Sequence, residues 1–373
     1  MRIALFSGNY NYIREGANQA LNRLVGYLEA QGHEVRAYSP VTDTPAFEPA
    51  GTLVPVPSIP LPVRSEFRLA LGLPRAIRRD VGHFAPDLIH VSTPDILCTR
   101  AQTFAIRSGI PVVASLHTLF ETYLGYYGLE FVRPLAEAHL RRFYRRADHV
   151  LAPTQALVAE MARRRGDDRV SLWSRGVDRE MFDPCRRDMS WRRGKEFGDD
   201  ETVVLFFGRL VLEKGVAAFV SVMRALEGQS VKVRALAVGA GPAAGAFNSL
   251  PGAVLTGHLE GAELARAVAS ADILLHPSTT ETFGNVVLEA MASGLAIVCA
   301  DAPSARTLIR DSETGIIRPA FDLEGQAAAV AELAASPEHR RRIGAAARAA
   351  SEAYSWEAAS ASVEYAYLSL LER

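Results

Sequence analysis

Short runs of valine, isoleucine and leucine alternate along this chain with stretches in which apolar residues recur every three or four positions. RIALFSG (2–8) reads as a first strand, GANQALNRLVGYLEAQG (16–32) as an amphipathic helix stopped at Gly32, and EVRAYSP (34–40) as the next strand. Strands that are apolar throughout, instead of at every second position, mark a parallel sheet covered by helices on both faces. DLIHVST (87–93), PVVASLH (111–117), HVLAPT (149–154) and VSLW (170–173) extend the series. DPCRRDMSWRRGKEFGDDE (183–201) interrupts it with dense charge and little apolar periodicity, so a domain junction is expected there. A second alternation opens at VVLFFGR (203–209) and continues through VRALAVG (233–239), AVLTGH (253–258), DILLHPS (272–278) and AIVCAD (296–301). The pattern predicts an α/β fold of two Rossmann-like, doubly wound domains, residues 1–183 and 200–353. They are expected to face a central cleft at the carboxyl ends of both sheets, where open α/β folds bind ligands.

Composition agrees with two ordinary cores: 373 residues, 49% hydrophobic and 22% charged. A formal net charge of -1 argues against a nucleic-acid partner, because phosphate-dominated binding needs a surplus of cations. The charge is uneven, with 22 arginines against 19 carboxylates up to residue 183 and the reverse balance beyond it. Cys98, Cys185 and Cys299 are odd in number, far apart and without metal-ligand spacing, which fits a reducing cytoplasm. No apolar run reaches the roughly 18 residues of a membrane span. Peripheral contact with the inner face of the cell membrane stays open through two basic segments. PVPSIPLPVRSEFRLALGLPRAIRRD (55–80) mixes Leu, Phe and Arg, either as a surface helix packed on its own domain or as a basic amphipathic element on an anionic membrane. LRRFYRRADHV (140–150), with Arg141, Arg142, Arg145 and Arg146, carries the same two readings.

Candidate chemistry gathers after the strands of the second half. Arg209 ends one strand and Lys214 stands five residues later, immediately before a helix; two cations beside a helix N-terminus suit a diphosphate. The chain has only three lysines against 38 arginines, so a lysine here points to a need for a compact charge. TTETFGNVVLEAMASG (279–294) sets Glu281 and Glu289 on either side of a glycine where a strand gives way to a helix. The first amides of that helix, around Phe283, Gly284, Asn285 and Val286, are available to a phosphate. Such an end favours an anion by about 0.3–1 kcal/mol when exposed. Glu289 is placed to reach a ribose diol and Glu281 the hydroxyls of a sugar beyond the diphosphate.

PSTTETFGNVVLEAMASG, FGRLVLEKG and SRGVDREMFDP (174–184) resemble, in the same order, the corresponding elements of retaining GT-B glycosyltransferases of family 4. The resemblance covers essentially the whole chain. It implies a nucleoside-diphosphate sugar donor, UDP- or GDP-linked, held by the C-terminal domain, and an acceptor bound by the N-terminal one. It further implies that Glu281 contacts donor-sugar hydroxyls, Glu289 the ribose, and Arg209 and Lys214 the diphosphate. His117, in ASLHTLFETYLGYYG, matches the family's active-site histidine, and residues 354–373 match its last helix, which returns to the first domain. Gly16, followed by Ala17, stands where many relatives carry a glycine pair facing the diphosphate, and Ala240 where many carry an acid.

No Asp-x-Asp motif follows a strand, so no metal and no cofactor is expected; the cations and helix amides would stabilise the departing nucleoside diphosphate. The implied outcome is a retained anomeric configuration. HTLFETYLGYYG (117–128) is similar to a segment of relatives that glycosylate lipids, which sets a lipid or lipid-linked acceptor beside a soluble sugar, with Tyr123, Tyr126 and Tyr127 either contacting it or packing. A non-hydrolysing nucleotide-sugar epimerase and a non-catalytic nucleotide-sugar-binding module would share the architecture. A dinucleotide oxidoreductase is disfavoured, since no G-x-G-x-x-G turn follows the first strand.

Overall fold

Apolar residues dominate the inner strands because both faces of each are covered: no residue of Leu88–Val91, Val112–Ser115, Ile273–His276 or Ala296–Ala300 is exposed. The computed structural model describes residues 1–61, 64–119, 122, 125 and 128–372, with the backbone alone at 64–66. Residues 1–119, 128–176 and 356–372 form one compact unit and residues 177–355 a second. Tyr123, Tyr126 and Tyr127 lie outside the described residues.

The first unit supplies β1 (Arg2–Phe6), β2 (Glu34–Ser39), β3 (Thr52–Pro55), β4 (Ser58–Leu61), β5 (Arg64–Ala70), β6 (Leu88–Val91), β7 (Val112–Ser115), β8 (His149–Ala152) and β9 (Val170–Leu172). Seven of these make one parallel sheet ordered β3-β2-β1-β6-β7-β8-β9. The winding reverses between β1 and β6, and at such a switch point the loops leave in opposite directions and open a crevice. On one face Ile3, Leu5, Leu88 and Val113 pack against the helix Gly16–Ala30 and the last helix, Trp356–Leu371, through Leu24, Val363 and Tyr367. Glu364 fixes that last helix by accepting from the Tyr27 hydroxyl at 3.0 Å and pairing with His33 Nε2 at 2.7 Å. On the other face Phe6, Ile89 and Val91 meet Ala101, Ala105 and Phe143.

The stretch at 55–80, read either as a surface helix or as a basic amphipathic element on a membrane, is the end of β3, the antiparallel hairpin β4–β5 and only then the helix Arg75–Phe84. The physical reason is local. EFRL (66–69) alternates polar and apolar residues with the period of a strand, Gly72 and Pro74 stop it, and the helical period starts only at Arg75. Arg68 ties the hairpin by donating to the hydroxyl (2.8 Å) and carbonyl (3.1 Å) of Ser58. The helix packs on its own unit through Ile77, Val81 and Phe84 and leaves Arg75, Arg78 and Arg79 exposed.

The second unit is a six-stranded parallel sheet of β10 (Thr202–Phe207), β11 (Val233–Val238), β12 (Val254–Gly257), β13 (Ile273–His276), β14 (Ala296–Ala300) and β15 (Ile316–Arg318). Its order is β12-β11-β10-β13-β14-β15, with the reversal between β10 and β13. The charged stretch at 183–201, expected as a bare junction, folds with this unit. Asp272, just before β13, pairs with Arg187 at 2.7 Å and with buried Arg192 at 2.9 Å and accepts the amide of Val203 at 2.7 Å. The cations hold its carboxyl below the usual range against the burial that would raise it. A charged sequence becomes structure here through one anchored carboxylate, which apolar periodicity does not report.

His90 in β6 and His276 at the end of β13 are buried, and burial lowers them to about 3 and about 4. Unfolded histidine takes its proton near pH 6.5 (roughly) while these two do not, so stability is full above that pH and falls as the pH drops toward the folded values. At pH 5 the loss is about 2 kcal/mol for each group. Urea unfolding at pH 7 and pH 5 checks this: the wild-type chain is weaker at pH 5, and His90→Gln, with one titrating group fewer, declines by about 2 kcal/mol less.

Candidate functional site

The chemistry of the second unit sits in the loops that follow β10 and β13, the two strands flanking its switch point. Phe207 ends β10, and the next residues, Gly208 to Val211, are held from the neighbouring strand's loop. The Gly208 amide donates to Val238 at 3.0 Å, the Leu210 amide to Ala240 at 2.9 Å, and the Ala243 amide to Leu210 at 2.9 Å. Gly239 is required for this: a Cβ there would stand 1.9 Å from the Gly208 carbonyl oxygen. The VGAGP turn therefore acts by carrying the loop that presents Arg209.

Residues Leu212–Lys214 form one 3-10 turn before the helix Val216–Ala225. The Glu213 carbonyl accepts two hydroxyls from the loop after β13, Ser278 at 3.2 Å and Thr280 at 3.0 Å. This bolts the LEKG turn to PSTTE and brings Lys214 Nζ to 2.5 Å from Glu281 Oε1. Both side chains are more than four-fifths buried, with 18% and 17% exposed. Burial alone would raise the Glu281 carboxyl, but the cations facing it, Lys214 foremost and Arg209 among them, hold it below the usual range. His276 closes the cluster, its Nε2 4.0 Å from Glu281 and without a hydrogen-bond partner among the described residues. Sequence reasoning passed over His276; His117 was singled out by the family resemblance and not by its place at the end of a strand.

The helix after Glu281 runs Asn285–Ala292. Gly284 is its N-cap at φ 96°, a left-handed conformation natural to glycine, and no side chain caps the first turn. The Val287 and Leu288 amides donate to the Gly284 carbonyl at 3.0 and 3.2 Å, so those of Asn285 and Val286 precede the intrahelical bonds and the positive end of the helix is left open. Asn285 Oδ1 is buried there without a hydrogen-bond partner among the described residues. The neighbouring Val286 lies close to Gly208: a Cβ on that glycine would be 3.8 Å from Val286 Cγ1. The helix end and the Arg209 loop are therefore adjacent. Phe283 is an anchor: its side chain is buried in the core, edge-on to Tyr354. Glu289 is partly exposed one turn further along the helix. Arg209, Lys214, Glu281 and the helix end thus form one cluster, which can neutralise an anion while its carboxylate accepts hydroxyl protons.

The remaining two candidates lie in the first unit. Gly16 opens the helix Gly16–Ala30 after β1, partly exposed, with Glu15 at the N-cap and no side-chain cap. His117 follows β7 and is 8% exposed. Its Nε2 is 2.8 Å from Ser115 Oγ, its Nδ1 accepts from Arg175 Nη2 at 3.0 Å, and its ring meets Trp173 edge-on. Burial, with the Arg175 charge added, pushes His117 well below its ordinary value, so the imidazole is neutral. Asp178, in the same SRGVD turn as Arg175, accepts the Met181 amide at 3.0 Å and shapes the turn.

Comparison with known proteins gives the family and the fold type. The family models Glycosyltransferase Family 4 and Glycosyl transferases group 1 match residues 14–181 and 188–350. A GDP-mannose-dependent alpha-mannosyltransferase of Mycolicibacterium smegmatis is 34% identical over 95% of this chain and 94% of its own. The sulfoquinovosyl transferase SQD2 of Arabidopsis thaliana is 32% identical over 97% of this chain and 72% of its own. The solved sucrose-phosphate synthase of Thermosynechococcus elongatus, 20% identical, superposes with a TM-score of 0.79 over 100% of this chain and 99% of its own, a likeness of fold of the GT-B type. Whole-length relatives and two models that follow one another along the sequence agree, and the chain belongs to the glycosyltransferases of family 4.

Proposed function

We propose that this glycosyltransferase moves a sugar from a nucleoside-diphosphate donor to an acceptor hydroxyl with retention of configuration and without a metal ion. The second unit binds the donor and the first the acceptor. The observation that carries the reading is the buried Lys214–Glu281 pair beside Arg209 and an uncapped helix end. When the donor enters, Lys214 and Arg209 take the diphosphate with the amides of Gly284, Asn285 and Val286, and Glu281 turns to the sugar hydroxyls while Glu289 takes the ribose. The charge that develops on the leaving diphosphate meets groups already fixed in place, which is where preorganised electrostatics lowers a barrier most. As the glycosidic C–O bond breaks, the acceptor oxygen bonds to the same face of the oxocarbenium-like sugar. Its proton passes to the departing phosphate oxygen. His117 is neutral, with both ring nitrogens engaged, and it does not serve as the base.

The names of the relatives point to two different donors, GDP-mannose for one and a sulfoquinovosyl group for another. The acceptor reading is a lipid or lipid-linked glycan, with the chain peripheral on the membrane. Among the described residues no helix is long and apolar enough to cross a membrane. Its support is at the helix Arg133–Arg145: Phe131, just before it, and Leu135 are 78% and 75% exposed, and Arg142, seven residues after Leu135 and so on the same face, is exposed as well. On the opposite side of this helix a cavity of about 400 Å³ is lined by Leu116, Leu119, Leu140 and Met161 together with Arg141 and Arg145.

Incubation with UDP-, GDP- and ADP-sugars and a membrane lipid extract, read by nucleoside diphosphate release and glycolipid mass, tests the reaction. One donor class is expected to turn over, and Lys214→Ala and Glu281→Ala to lose roughly 100-fold or more in kcat; wild-type rates in both variants would overturn the site. Turnover is expected to persist in EDTA, and its loss there would overturn metal independence. For the membrane, sedimentation with phosphatidylglycerol vesicles is expected, but not with phosphatidylcholine, and Arg141→Glu with Arg142→Glu should abolish it. Transfer to soluble sugars alone would sink the lipid reading.

A further inference from the structure

A chain of hydrogen bonds runs through the core of the first unit from its last helix to His117. Tyr367 Oη lies 2.6 Å from His90 Nδ1, His90 Nε2 lies 2.8 Å from Ser115 Oγ, and Ser115 Oγ lies 2.8 Å from His117 Nε2. Arg175 Nη2 closes it at 3.0 Å from His117 Nδ1. Tyr367, His90 and Ser115 are fully buried, and Arg175 is 4% exposed. Arg175 is itself held by the carbonyls of Trp173 and Ser174 and stacks over the Trp173 ring.

One chemical constraint orders the whole series. A guanidinium only donates, so His117 Nδ1 must accept. The neutral ring then carries its proton on Nε2 and gives it to Ser115 Oγ. The proton of the Ser115 hydroxyl has His90 Nε2 as its acceptor in the series, and His90 therefore keeps its own proton on Nδ1, facing Tyr367 Oη. Four side chains from β6, β7, the SRGVD turn and the last helix thereby select one tautomer of His117. Among the described residues, Arg175 and His90 act on His117 as charged or titratable neighbours, and neither favours its protonation.

We propose that Ser115, His90 and Tyr367 are positioning residues that, with Arg175, lock His117 as an uncharged Nε2–H imidazole turned inward, so that substrate meets a fixed surface there and not a base. The inference rests on the reading of His117 as an active-site residue. It gives the last helix a part in the chemistry beyond covering the sheet: its Tyr367 terminates the relay.

Nitrogen NMR of the full chain labelled with 15N-histidine decides the tautomers without reference to activity. The expected result is an unprotonated Nδ1 on His117 and an unprotonated Nε2 on His90, unchanged from pH 8 to pH 6. A protonated Nδ1 on His117, an imidazolium at pH 6, or an Nε2–H on His90 would overturn the proposal. In kinetics, Ser115→Ala and Tyr367→Phe are expected to lower kcat by roughly 10- to 100-fold with donor KM unchanged, and Ser115→Thr, which keeps the hydroxyl, to restore it. A fall confined to thermal stability, with kcat intact, would also overturn it. Should either variant fail to fold, the wild-type nitrogen shifts still decide. His117→Ala separates the two ideas: full activity in that variant refutes the role of His117 while the relay stands or falls on the NMR.

Discussion

The carbonyl oxygen of Glu213, by accepting the hydroxyls of Ser278 and Thr280, fixes where the chemistry of the second unit sits. Lys214 and Glu281 are 67 residues apart in sequence, on loops after different strands, and neither loop is rigid by its own composition. Two hydroxyls on one carbonyl set the loops in register, and only then does an ammonium reach a carboxylate through a largely buried gap. A pair so placed costs desolvation on both partners, and attraction repays that only when the geometry is good. The hydrogen bonds at Glu213 supply the geometry. A cluster built this way is weak evidence for stability and stronger evidence for a site.

Parallel topology explains why so much converges on strand ends. In both sheets the winding reverses beside the first strand of the unit, β1 in one and β10 in the other, and at that place two consecutive loops diverge. Gly16 follows β1, Arg209 follows β10, and Glu281 follows β13, the strand on the other side of the reversal. His117 follows β7, one strand further out. Within the first unit, the buried relay continues this logic inward. His90 and Ser115 are on adjacent strands at positions that share a face, and the helix Trp356–Leu371 lies against that face, so a tyrosine on the helix can finish what the strands begin.

The strands, the two doubly wound units and the post-strand placement of Arg209, Lys214, Glu281 and Glu289 were legible because continuous apolar runs and helix-entry glycines are local signals. What was illegible depended on pairing at long range. Residues 183–201 looked like a junction because their order comes from Asp272, 85 and 80 residues beyond the two arginines it holds. The 55–80 stretch was misread because its composition, Leu, Phe and Arg, was weighed above its period, which changes twice within it. The relay could not be seen at all: a histidine in DLIHVST, a serine in PVVASLH and a tyrosine in the last helix carry no spacing that links them. Phe283, named for its amide beside the helix end, has a side chain that builds the core, which the sequence reading left unassigned.

The scarcity of lysine makes sense in the same terms. An arginine at position 214 would meet Glu281 with a planar fork and hold it through two parallel bonds, a contact that gains from its rigidity. Lysine offers one compact charge on a flexible stem. On the proposed donor reading, it neutralises Glu281 in the empty protein and, by rotating a single ammonium, transfers its charge to an arriving phosphate oxygen while the carboxylate is released toward hydroxyls. In a chain whose cations are otherwise almost all arginine, a residue that must let go of its partner is where the exception belongs. Arg209 stands on a loop clamped on the Ala240 side by backbone hydrogen bonds, where a rigid planar fork is presented from a fixed backbone.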